Sequence, residues 1–287
     1  MEDFRSAFPD HELQHEVTKQ LASVYRQDGQ LDRSASEYER VAAETDDLAV
    51  RGEAMLLAGE LYEEASSVDS ALDVYLRYVA EFPAPLDLAQ ETRFKIAGMY
   101  EARDDLVQYH EMLEEIVAVD AAAGTSRTDR SRYLAAQSAL VLTQRLYASF
   151  VEVELVQPFE QSLAEKQQRM DTALAGFEGL VAYAVGDVTA AATFYIAEIY
   201  FDFSAALLAS ERPTDLEPAT LVEYELALEE EAFPFEEQAI EVHETNFELV
   251  RSGLYNEWVR KSLERLAVLM PGRYAKTEIS TGFIGAI

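Results

Sequence analysis

Tyrosine recurs at positions 25, 62 and 100, and the same order of small and large apolar residues is laid down around each. The middle copy is the most regular. From Met55 to Pro83 the chain reads MLLAGELYEEASSVDSALDVYLRYVAEFP, with Met55, Ala58, Gly59, Tyr62, Val68, Ala71, Tyr75, Tyr78 and Val79 at helical intervals on either side of a short polar break. Such spacing predicts two amphipathic helices. Ala58, Gly59 and Ala71 are small where antiparallel helices cross, so the backbones can approach closely, while Tyr62 and Tyr75 fill the wider gaps. A lone pair cannot bury both of its apolar faces. One such unit therefore predicts neighbours stacked upon it.

The neighbours are present. Leu21, Ala22, Gly29, Leu31, Ser34, Tyr38, Val41 and Ala42 accompany Tyr25, and Ile96, Ala97, Leu106, Tyr109, Leu113, Ile116 and Val117 accompany Tyr100. Three positions depart from the pattern: Thr18 and Arg93 stand where a large apolar residue is common, and Tyr109 replaces a small one. On these residues the first part of the chain, 11–122, resembles about three tetratricopeptide repeats, each slightly longer than the usual ~34 residues. Extra residues sit at 47–49 and 85–88.

The resemblance implies an all-α solenoid whose inner helices line a partner-binding groove. Projected on this chain, the groove positions are Glu16, Lys19, Ser23, Arg26 and Gln27 in the first unit. In the second they are Glu53, Leu56, Glu60, Glu63 and Glu64, and in the third Glu91, Phe94, Gly98 and Glu101. Tetratricopeptide domains that clamp a peptide carboxylate do so with Lys, Arg and Asn. A groove dominated by glutamate suits a basic or amphipathic protein segment instead, with Leu56 and Phe94 as apolar contacts.

Charge narrows the field further. Fifty-four acidic against twenty-three basic residues leave a net charge of −31, which repels nucleic acid and anionic lipid. Only five of the basic residues are lysine, and a surface rich in carboxylate and poor in lysine resembles that of salt-adapted organisms. Cysteine is absent, so disulfides and thiolate metal sites are excluded. No uninterrupted apolar run of ~18 residues appears, and MEDFRSAFPD lacks the plan of a signal peptide.

Periodicity predicts helices over 11–27, 31–45, 49–65, 68–81, 86–102, 105–121, 128–156, 159–184, 187–210, 217–232, 235–252 and 255–270. The longer helices after Gly124 define a helical extension or cap over 123–271, with a poorly ordered tail from 272. Asp187 is of the type that caps a helix start, and Gly186 of the type that ends the helix before it. ATFYIAEIYFDFSAALL (192–208), apolar on nearly every side, predicts a central helix. Pro234 is expected to break or kink its helix, with Phe233 and Phe235 pinning the corner or offering a second interface.

His11-Glu12-Leu13-Gln14-His15 matches HExxH, in which two histidines on one helical turn hold zinc and the glutamate activates water. It lies at the start of the first repeat helix without the usual companions, so a zinc peptidase is the minor alternative. His110 and His243 read as surface or packing residues. No phosphate loop, GxSxG or EF-hand spacing occurs, and neither a catalytic activity nor a cofactor is expected.

Segments RTDRSRYLAAQSAL (127–140), SERPTDL (210–216), EEEAFPFEEQAIEVHETN (229–246) and RYAKTE (273–278) resemble the C-terminal part of large bacterial envelope tetratricopeptide proteins, of the kind associated with Tol/Exb-type motors or gliding motility. This implies a periplasmic or envelope-associated scaffold that is the end of a longer chain, without membrane insertion of its own. A cytoplasmic adaptor or assembly chaperone remains the alternative.

Overall fold

The computed structural model describes residues 1–8, 11–214 and 216–275; most of the tail expected from 272 lies outside them. Thirteen α-helices occur among the described residues, which form no strand. Contacts divide the chain into two compact units, Met1–Ala135 and Ala136 onward.

The first unit begins with α1 (Glu2–Ala7) and α2 (Gln14–Gln27), followed by α3 (Leu31–Glu44), α4 (Leu48–Glu64), α5 (Val68–Glu81), α6 (Leu86–Ala102) and α7 (Leu106–Ala122). From α2 to α7 each helix packs on the next, so antiparallel pairs follow one another as in a solenoid. The turns inside the pairs are copies of one another. Gly29, Ser66 and Asp104 each adopt positive φ, and each is followed by a residue whose N–H reaches back to the repeated tyrosine. Gln30 donates to the Tyr25 carbonyl at 2.8 Å, Ser67 to Tyr62 at 2.8 Å and Asp105 to Tyr100 at 3.0 Å. This is the left-handed helix ending that satisfies the last carbonyls.

Side-chain size sets the crossings. Ala58 and Ala71 are fully buried, and a Cβ added to Gly59 would overlap the Tyr75 ring. Buried Arg93 replaces apolar packing with an ion pair, its Nε donating to Glu115 at 2.7 Å. Thr18 turns its hydroxyl onto the Gln14 carbonyl at 3.0 Å.

α8 (Asp129–Val151) contains the division between the units. After it, the second unit holds α9 (Phe159–Leu180), α10 (Gly186–Ala209), α11 (Pro218–Glu248), α12 (Glu257–Leu269) and α13 (Pro271–Tyr274). α10 is the expected central helix, packed by α9, α11 and α12. By length and composition it could cross a membrane, yet it carries Glu198 and Asp202 and behaves here as a core helix.

Several boundaries differ from expectation for local reasons. The helix expected over 11–27 is the single helix α2, which starts only at Gln14, and the short α1 precedes it where no helix was expected. α8 stops at Val151 rather than near 156, where buried Lys166 donates to the Phe150 and Val153 carbonyls at 3.1 and 2.8 Å and serves as a cap from a distant helix. α9 ends at Leu180, and the left-handed residue after its final 3-10 turn is Ala184, so Gly186 opens α10 instead of closing α9. Pro234 does not break the chain: α11 runs through it from Pro218 to Glu248. Phe235 meets Phe203 edge-on with ring centroids 4.6 Å apart, and burial of Leu228, Ala232 and Ala239 holds the helix together on both sides of the proline.

Candidate functional site

On α4 Glu53, Leu56, Glu60 and Glu63 follow one another at steps of three or four, and Glu64 lies four beyond Glu60, so the five share one helical face. The opposite face, with Ala54, Met55, Ala58, Leu61 and Tyr62, is buried. α6 repeats the division, with Glu91, Phe94, Gly98 and Glu101 outward and Ala89, Ile96 and Ala97 buried.

Basic residues that sequence reading passed over bring the two faces together. Lys95 of α6 reaches Glu63 of α4 at 2.8 Å and the Tyr75 hydroxyl at 3.2 Å, and that hydroxyl itself donates to Glu63. Burial first, then the carboxylate, pushes the Tyr75 phenol far above its ordinary range. One step further along, Arg130 of α8 donates to Glu91 at 2.9 Å. Two of the predicted groove glutamates are therefore paired with a cation from another helix. Glu53, Glu60 and Glu64 form no ion pair among the described residues and are exposed, beside half-buried Leu56 and, on α6, a Phe94 that is 40 % exposed.

The α2 set is not drawn into this face by an ion pair among the described residues. Lys19 borders a cleft of about 330 Å³ with His15, Glu44 and Asp46, while Glu16 is bonded within its own helix to Gln20 at 2.9 Å. Arg26 and Gln27 are exposed at the helix end.

HExxH does not assemble as in a zincin. α2 starts only at Gln14, so His11 stands outside the helix, its Nδ1 accepting from the Leu13 N–H at 3.1 Å and its ring edge-on to Phe4. His15 turns towards Glu44, 3.2 Å away. No group of three metal-ligating side chains is found among the described residues.

The second unit holds two polar clusters that the sequence did not advertise. Ser262 Oγ lies 3.2 Å from His243 Nδ1, and His243 Nε2 lies 3.1 Å from Glu198 Oε1, close but off the line of a straight hydrogen bond. The series of residue types is that of a hydrolytic relay. Ser262 and His243 are fully buried, however, and Ser262 Oγ also accepts from Asn246 at 2.8 Å, so no substrate carbonyl can approach it. The other cluster borders a cleft of about 700 Å³ with Val153, Val156, Ala205 and Ala209 in its walls. Its Lys166 is committed to the α8 carbonyls and its Asp202 accepts from the Tyr147 hydroxyl, so both serve the fold.

Phe233 and Phe235 part company: Phe235 packs inward on Phe203, while Phe233 points into solvent.

The features together define a class of protein, all-α, with stacked antiparallel helix pairs in the first unit and longer helices in the second. No protein-family model matches the chain, and no curated protein matches it.

Proposed function

We propose that the chain is a non-catalytic, tetratricopeptide-type scaffold whose α4–α6 face docks a basic or amphipathic segment of another protein. The observation that carries this reading is the joined face itself. Lys95 and Arg130 neutralise Glu63 and Glu91, leaving Glu53, Glu60 and Glu64 to steer a cationic partner towards Leu56 and Phe94. Repetition of the Tyr25, Tyr62 and Tyr100 turn supports the repeat assignment. The resemblance of 127–140 and 229–246 adds an envelope setting to the proposal.

Reversal of Glu53, Glu60 and Glu64 to lysine spares the partnered Glu63 and should leave helicity unchanged. With an environment-sensitive fluorophore carried on Gly98→Cys, at an exposed position of the α6 face, titration with peptides that have leucines at helical spacing and lysines between them should show at least tenfold weaker binding to the reversed protein. Equal affinity for the two proteins would remove the groove from consideration.

A further inference from the structure

Along the first half of α11 a second face is left without a partner among the described residues. Val222, Leu226 and Phe233 are 64 %, 56 % and 57 % exposed and lie four and then seven residues apart, one stripe on the side away from buried Leu228 and Ala232. Large apolar side chains at such spacing are what one helix offers another. Carboxylates flank the stripe, with Glu223, Glu229 and Glu230 exposed beside it. Across Pro218–Glu248 there are ten glutamates and neither lysine nor arginine.

We infer that this stripe is a docking site for an amphipathic helix of a partner protein, with apolar residues at matching spacing and lysine or arginine along both edges. Charge decides the occupant. A second copy of the chain would set glutamate against glutamate on both sides of the seam and bring together two molecules of charge −31. Helices that lie in a membrane interface carry Lys and Arg on the polar face, and this one carries none. A basic helix satisfies both features at once: its apolar side covers Val222, Leu226 and Phe233, and its cations pair with the flanking carboxylates.

The site is independent of the α4–α6 face, so each can fail without the other. Because the chain has no cysteine, Glu229→Cys places a single thiol in the stripe for an environment-sensitive fluorophore. Titration of the labelled full chain with a 21-residue peptide, leucine at heptad a and d positions and lysine elsewhere, should give a saturable blue shift. The Val222→Ser/Leu226→Ser/Phe233→Ser variant, checked for native helicity by circular dichroism, should weaken it at least tenfold. The Glu53, Glu60 and Glu64 reversal should leave it intact. The inference is overturned by no response, by equal response to a scrambled peptide of the same composition, or by an unchanged response in the serine variant. It is also overturned if vesicles of mixed zwitterionic and anionic lipid reproduce the shift, or if sedimentation shows that the unlabelled chain covers the stripe by dimerising.

Discussion

Glu198 is placed on the central helix of the second unit where burial alone would raise its pKa, yet contacts from His243 and Arg265 outweigh burial and hold it below its ordinary value. Arg265 grips it with two nitrogens, Nε at 2.8 Å from Oε1 and Nη2 on Oε2, while its guanidinium also lies over the Phe201 ring. A carboxylate whose folded pKa is depressed contributes stability above its unfolded value of 4.5, and that contribution is lost as pH falls through the lower folded value. Replacing Arg265 by methionine keeps an aliphatic stem on Phe201 but strands a buried charge, which costs about 3 kcal/mol at neutral pH. Urea denaturation should show that loss at pH 7 and a much smaller one below pH 4.5, where the stranded carboxyl takes up a proton; equal losses at the two pH values would acquit Glu198. Nothing near Glu198, His243 or Arg265 in sequence signals this cluster, because its members are 45 and 22 residues apart and meet only when α10, α11 and α12 have packed.

Among the elements, the repeat helices were legible and the punctuation was not. Small crossing residues and apolar intervals mark α2 to α7 within a few residues, since each pair is determined by its own local pattern. The end of α8 depends on Lys166, fifteen residues beyond Val151, and no local residue announces it. Pro234 shows the opposite failure, a strong local signal overridden by tertiary packing. A proline inside a helix costs ~3 kcal/mol relative to alanine, and part of that returns through the stiffer unfolded chain. Pro234 is exposed, so its ring contributes little packing that alanine would forfeit. Pro234→Ala should therefore stabilise the protein by about 2 kcal/mol, measured as a higher urea midpoint at unchanged slope. A lower midpoint would mean that the geometry imposed by the proline is what lets Phe235 reach Phe203.

Over the whole molecule the excess of carboxylate was plain from composition, but which glutamates remain available was not. Glu63 and Lys95 are thirty-two residues apart, Glu91 and Arg130 thirty-nine, and only the stacking of helix pairs makes them neighbours. Other cross-helix pairs in the first unit, Arg51 with Glu81 and Arg103 with Asp69, spend further basic residues internally. Among the described residues most basic side chains sit in an ion pair, across helices or within one, while a net charge of −31 acts across the folded surface. Two effects of salt then oppose each other: screening weakens exposed ion pairs worth at most ~1 kcal/mol each, and it relieves repulsion among many carboxylates. With more than twice as many acids as bases the repulsion is the larger sum. Raising sodium chloride from 0.1 to 1 M shortens the screening length from about 10 to about 3 Å and should raise the thermal midpoint by several degrees. Chloride rather than sulfate isolates the screening effect from salting-out of apolar surface. A midpoint that fell with salt would show that the cross-helix pairs, rather than the carboxylate field, dominate the electrostatic free energy of the fold.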